Sequence, residues 1–171
     1  MNNDKPLILL QDAWRECERH IYHLFYAMRS IHTFLPLTEK TYINLTDEQI
    51  QAIDQFILRY TKLQDTMGGR LFPAILNYLT EQYEDRPMLD KLNRLEKLGY
   101  IDSVEHWQAI RNIRNKFAHD YPDDPDKNVA HFSVALESVS GLYDILSTIN
   151  KQLKESYPLL ELGKELPEYL K

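Results

Sequence analysis

The chain has 171 residues, of which 43% are hydrophobic, and a formal net charge of −6. This length suits one full-sized hydrophobic core, so we expect a single domain over residues 1–155, followed by a C-terminal tail over residues 156–171. The negative charge excludes a protein that binds nucleic acid over its whole surface and leaves room for a local basic patch.

The single cysteine, Cys17, excludes an intrachain disulfide and any zinc site that takes two cysteine ligands from one chain. The polar N-terminal residues lack the apolar core of a signal peptide. No apolar run reaches the ~20 residues that a membrane span needs. We therefore expect a cytoplasmic protein that has no membrane partner.

The first predicted element is a helix of roughly eight turns. Pro6 suits its first turn, and Pro36 ends it. Apolar and small residues recur along it at steps of three and four: Leu9, Ala13, Cys17, His20, Leu24, Met28, Ile31 and Leu35. Trp14, Ile21 and Phe25 add a second stripe. The helix is therefore expected to be covered on two sides, and a second chain is one source of a cover.

Residues 36–45 are expected to form a loop. Thr46 and Gln49 then have the spacing of a capping box, which starts a second long helix that continues to Leu79. Gly68, Gly69 and Pro73 interrupt its pattern, so we expect a bend or break near residues 68–73.

The remaining elements follow with short connections. After a turn at residues 85–87, a short helix is predicted over about residues 88–98, ending at Gly99, and Ser103 caps the next helix. A turn at residues 123–126 leads to a last long helix over residues 129–153, and Pro158 and Pro167 make the tail irregular. With no strand alternation and no internal repeat, the pattern predicts an all-α, up-and-down bundle of about five helices.

The helix that begins at Ser103 carries a charged group in its apolar stripe. Trp107, Ile110, Arg114, Phe117 and Ala118 share one face. A guanidinium in such a stripe is costly unless it is paired or used. His119 falls in the last turn, and Tyr121 precedes Pro122, which favours an extended backbone there.

The charge around this face is locally positive. From His106 to His119 there is no acidic residue, but there are three cations, Arg111, Arg114 and Lys116. This is what a phosphate-binding site on an acidic protein would look like. The same residues also allow structural roles: Arg114 could pair with a carboxylate, and His119 could interact with the helix dipole. Arg111 suits a salt bridge better than catalysis, and Asn115 and Lys116 could equally assist RNA binding or face solvent.

Several common catalytic patterns are missing from the sequence. It has no Gly-rich phosphate loop, no dinucleotide-binding glycine pattern, no nucleophile elbow and no His-Glu-x-x-His zinc motif. Cys17, His20 and His23 drift around their helix and do not predict a metal site. We therefore expect no metal and no cofactor, and a site that uses Arg, His and Tyr.

Four residues separate Arg114 from His119, and one residue separates His119 from Tyr121. This spacing resembles the Arg-x4-His-x-Tyr signature of the HEPN superfamily, specifically its HepT-like toxins. Residues 60–68 and residues 92–99 are also similar to stretches common in HepT-like sequences. With residues 107–121, the resemblance covers most of residues 50–125.

The resemblance implies a compact helical bundle that forms a homodimer, with two motifs facing one groove. It implies a metal-independent endoribonuclease of a type VII-like toxin–antitoxin system, in which Arg114 and His119 are catalytic. Asn115, Lys116 and Arg111 would support RNA binding. It also implies a partner, a minimal nucleotidyltransferase antitoxin that transfers AMP to Tyr121 and so blocks the RNA substrate.

Two alternatives remain open on the sequence. The chain could be a non-catalytic substrate or scaffold subunit that binds a minimal nucleotidyltransferase. It could also be a plain helical adaptor, which predicts that Arg114 is buried against a carboxylate and that His119 faces nothing.

Overall fold

A computed structural model describes residues 4–117 and 124–169, and these residues form an all-α protein without strands. Helix α3, a π-helical turn and α4 are continuous, so the described part of the chain has six helices. Their bounds are α1 Lys5–His32, α2 Glu39–Tyr42, α3 Asp47–Thr66, the π turn Met67–Leu71, α4 Phe72–Tyr78, α5 Met88–Lys97, α6 Val104–Lys116 and α7 Pro125–Ser156. No helix among the described residues is long and apolar enough to cross a membrane.

Helix α1 lies against α3 and is covered on two sides, as its two stripes predict. Glu16 accepts a hydrogen bond from Thr66, while His20 lies 3.2 Å from Arg59, so α1 and α3 run in opposite directions. The second cover comes from the chain itself. Phe25 is 1% exposed and contacts Tyr143 of α7 and Tyr169 of the tail. The second stripe therefore requires no second chain to cover it.

The helix starts follow from local capping chemistry. The predicted capping box at Thr46 is confirmed, because its hydroxyl accepts from the Gln49 backbone and the Gln49 side chain accepts from the Thr46 backbone. The prediction of a plain loop over residues 36–45 is wrong in part. Thr38 and Thr41 form another capping box, which holds the single turn α2. A helix of four residues is too short to show apolar periodicity.

The predicted interruption near residues 68–73 is confirmed and is a π-helical turn. Pro73 cannot donate a backbone hydrogen bond, and its ring would crowd the carbonyl four residues earlier in a regular α-helix. A Cβ on Gly68 would lie 3.2 Å from Trp107 Cζ2, so the absence of a side chain lets α6 approach the turn.

The last helices begin and end close to the predicted residues. Ser103 accepts a hydrogen bond from the His106 backbone and starts α6, and Asp124 accepts one from Lys127 and starts α7. Gly99 follows α5 with φ +80°, a conformation that favours glycine. Residues 157–169, the described part of the tail, contain no helix, in line with the expected irregular structure. Leu162 is 3% exposed, so the tail still contributes to the core.

Candidate functional site

Helix α6 holds Arg114 at the edge of the core. Trp107 and Ile110 are 1% and 2% exposed, and Trp107 packs on Phe72 of α4. Arg114 comes one turn after Ile110 on the same face, and its side chain is 27% exposed. The apolar first half of the stripe therefore anchors the helix, while its last turn brings the guanidinium to the surface.

Arg114 lies against Asp65, one residue before the end of α3. Nη2 of Arg114 donates to both carboxylate oxygens, at 3.2 and 3.1 Å, and the Asp65 side chain is 41% exposed. Arg111 Nη1 lies 4.0 Å from the same carboxylate. Its expected role as a salt-bridge partner is therefore consistent with its position. Two guanidinium groups share one carboxylate, so this part of the site keeps a positive balance.

Asp65 does not use the full donor capacity of Arg114. A single nitrogen makes both contacts, whereas an Arg–carboxylate fork uses two nitrogens. Nη1 makes a long contact of 3.4 Å to Asn115 Oδ1, and Nε has no hydrogen-bond partner among the described residues. Nε is also buried, so Nη1 is the guanidinium nitrogen that Asp65 leaves available to phosphate oxygens.

The sequence predicted Arg114 as a site residue but not Asp65 as its partner. The two residues are 49 positions apart, and no spacing along the chain relates them. Asp65 does lie in the stretch 60–68 that resembles HepT-like sequences, and Arg114 lies in the stretch 107–121. The resemblance of these two stretches predicted no contact between them, and the ion pair became visible only in the fold.

His119 and Tyr121 lie outside the described residues. The described residues on either side of them carry charges of both signs, because Asp124 and Asp126 are exposed at the start of α7. Lys116 is exposed at the end of α6, and Lys127 is exposed in the first turn of α7. The pKa of His131, one turn further along α7, is lowered first by burial and then by the positive charges of Lys116 and Lys127. The described residues that flank residues 118–123 therefore include two lysines and two aspartates.

The histidine and cysteine pattern on α1 has a packing role. Cys17 and His20 are buried, and no group of three or more His, Cys, Asp and Glu side chains placed to hold a metal ion occurs in residues 4–117 and 124–169. Burial raises the pKa of the Cys17 thiol. Burial, with the nearby charge of Arg59, lowers the pKa of His20 to about 4.

Comparisons of the chain with protein family models, curated proteins and solved structures find no match.

Proposed function

We propose that this chain is a HepT-like endoribonuclease toxin that cleaves RNA without a metal ion, through Arg114 and His119. The observation that carries the proposal is the Arg114 guanidinium. It stands at the exposed end of an apolar helix face, with donors that Asp65 does not use. The sequence places His119 five positions and Tyr121 seven positions after it.

The proposed reaction is transesterification at phosphorus. The 2′-oxygen of RNA attacks the adjacent phosphorus while its proton passes to a histidine. The bond to the 5′-oxygen breaks, and that oxygen takes a proton from a second histidine. The products are a 2′,3′-cyclic phosphate and a 5′-hydroxyl. Arg114 donates to the phosphate oxygens as negative charge builds up on them.

The need for two proton carriers supports a homodimer. Histidine changes charge near neutral pH and can either accept or donate a proton. One chain supplies one motif histidine, His119, so two copies facing one groove supply both roles.

The proposed regulator is a minimal nucleotidyltransferase partner. The phenol oxygen of Tyr121 would attack the α-phosphorus of ATP, pyrophosphate would leave, and AMP would remain on the tyrosine. The added phosphate and nucleoside would occupy the site near Arg114 and offset its positive charge. RNA would then be excluded by both bulk and charge.

The test of catalysis compares His119→Ala and Arg114→Ala with the wild-type chain. Purified proteins are incubated with RNA in EDTA, and the product ends are identified by mass spectrometry. We expect cleavage to fall by a factor of about 10² to 10⁴ in His119→Ala. His106→Ala, which changes a histidine of α6 that lies outside the motif, is the matched control. Equal cleavage by wild type and His119→Ala contradicts the proposal.

A second candidate function is a non-catalytic substrate or scaffold subunit of a nucleotidyltransferase. The Asp65–Arg114 ion pair favours it, because this contact also gives Arg114 a structural role. This candidate requires Tyr121 but no active His119. Co-production with a nucleotidyltransferase followed by intact-mass measurement separates the two. Added AMP that disappears in Tyr121→Phe, with RNA unaffected by modified and unmodified protein alike, supports the scaffold function.

A further inference from the structure

A groove of about 500 Å³ lies next to the end of α6 and is separate from the Asp65–Arg114 pair. Side chains from α2, the first half of α3, the end of α6 and the start of α7 line it. This volume is within the range of small-molecule sites, roughly 300–1,000 Å³. The groove therefore has room for one planar ring with a sugar or phosphate attached.

The floor of the groove is apolar and partly aromatic. Ile53 and Phe132 are 7% and 2% exposed, and Ile57 and Phe117 are half-buried beside them. Phe132 is fixed by an edge contact with Phe56, at a centroid distance of 5.1 Å. An apolar floor with aromatic rings fits the face of a nucleobase, since every base has a π-face that stacks on such rings.

The rim of the groove is polar. Asn128 and His131 line it from α7, Lys116 from α6 and Asp54 from α3. An amide, an imidazole and a carboxylate can hydrogen-bond the edge of a base, whereas an ammonium group suits a phosphate. At His131 the positive charges of Lys116 and Lys127 each act more strongly than the negative charge of Asp124. Lys116 itself lines the rim, where its ammonium group can pair with the phosphate of a nucleotide.

The groove is close to the proposed catalytic arginine. Phe117 lines the groove three positions after Arg114 in the chain, and a rise of 1.5 Å per residue places the two about 4–5 Å apart along the helix axis. A nucleotide with its base on Phe117 would therefore have a phosphate within reach of the last turn of α6.

We propose that this groove binds the base of an RNA nucleotide next to the cleaved phosphate and so sets the base preference of cleavage. The inference rests on the proposed ribonuclease function, because that function makes RNA the substrate. The groove itself predicts that nucleoside monophosphates bind even to protein that cannot cleave.

The test fills the groove with a larger side chain. Ile50 lines it and is 42% exposed, so Ile50→Trp places an indole in the groove without entering the core. Leu58→Trp is the matched control, because Leu58 is 51% exposed on the same helix and does not line the groove. Asp54→Asn is a second variant that removes one rim charge. Circular dichroism establishes that each variant is folded.

Two measurements are made on these proteins. Calorimetry measures the binding of the four 5′-nucleoside monophosphates in a His119→Ala background, and sequencing of cleaved random RNA measures base preference in active protein. We expect at least tenfold weaker binding and loss of preference at one flanking position in Ile50→Trp, with Leu58→Trp unchanged. Asp54→Asn is expected to change the order of affinity among the four bases.

The outcomes separate this inference from the ribonuclease proposal. Nucleotide binding that is lost in Ile50→Trp, with no cleavage by wild type, supports the groove and rejects the nuclease. Cleavage with the same base preference in wild type and Ile50→Trp rejects the groove and keeps the nuclease. Unchanged nucleotide binding in Ile50→Trp, with a changed molar mass in light scattering, identifies the groove as a contact between subunits and overturns the inference.

Discussion

The strength of the ion pair between Arg114 and Asp65 decides whether this arginine is mainly structural or available to a substrate. The perturbation is a double-mutant cycle with Arg114→Met and Asp65→Ala, followed by the free energy of unfolding. Methionine keeps the unbranched stem that packs on the apolar face and removes the charge. The coupling between the two changes then reports the ion pair itself.

The structure predicts a small coupling. The two side chains are 27% and 41% exposed, and one nitrogen makes both contacts to the carboxylate. Pairs of this exposure typically contribute about 0.2–1 kcal/mol. Loss of Arg114 also leaves Asp65 near Arg111, 4.0 Å away, and in contact with water. We therefore expect a coupling of about 0.5 kcal/mol, since no buried charge is left unpaired.

Arg94 and Glu81 provide a matched control elsewhere on the surface. The Arg94 side chain is also 27% exposed, but its Nε and Nη2 donate separately to the two carboxylate oxygens of Glu81, at 3.0 and 2.8 Å. This fork lowers the pKa of Glu81, through the hydrogen bonds from Arg94 first. The coupling of Arg94→Met with Glu81→Ala is expected to exceed that of the Arg114 cycle.

Urea unfolding followed by circular dichroism measures both cycles at pH 7 and low salt. A coupling of about 2 kcal/mol or more between Arg114 and Asp65, or one larger than the control, would refute the reasoning. Arg114 would then be a structural arginine, as the adaptor alternative predicts, and its guanidinium would be unavailable to phosphate.

Three further predictions concern His20, two glycines and the charge of Asp65. His20 is buried with a pKa of about 4 against an ordinary 6.5, so below pH 6.5 the unfolded chain takes up a proton that the folded chain does not take up until about pH 4. Stability therefore falls as pH falls through this window, and wild type is expected to lose about 2 kcal/mol more than His20→Asn between pH 7 and pH 5 in urea unfolding. Gly141→Ala places a Cβ 2.8 Å from His106 Nε2 and 3.0 Å from Ile110 Cδ1, and it is expected to cost about 1–3 kcal/mol. Gly69→Ala, whose Cβ meets nothing within 4 Å, should instead add about 0.5–1 kcal/mol, and thermal unfolding compares the two. Asp65→Asn removes a negative charge beside Arg114, so fluorescence anisotropy with non-cleavable 2′-deoxy RNA should show tighter binding at low salt and little change at high salt; unchanged low-salt affinity would place the RNA elsewhere.

The features that the sequence predicted correctly depend on neighbouring residues. The capping box at Thr46 needs Gln49, three positions later, and the start of α6 needs the Ser103 hydroxyl and the His106 backbone. The π turn follows from a proline and two glycines within six positions. Capping, periodicity and backbone restriction act over one or two turns, so the printed chain contains all their causes.

Tertiary packing decided the surroundings of the candidate site. Asp65 meets Arg114 across 49 positions because Gly68 lets Trp107 approach the turn between α3 and α4. In the same way, Tyr169 of the tail covers Phe25. From the sequence, a second chain was one possible source of this cover.

The groove beside Phe117 collects residues from four separate helices. Local sequence patterns predicted the helices apart from the single turn α2 and placed an arginine on an apolar face. The exposure and partner of that arginine depend on how the helices pack, because a residue's distant neighbours are set by the whole core and by no local spacing.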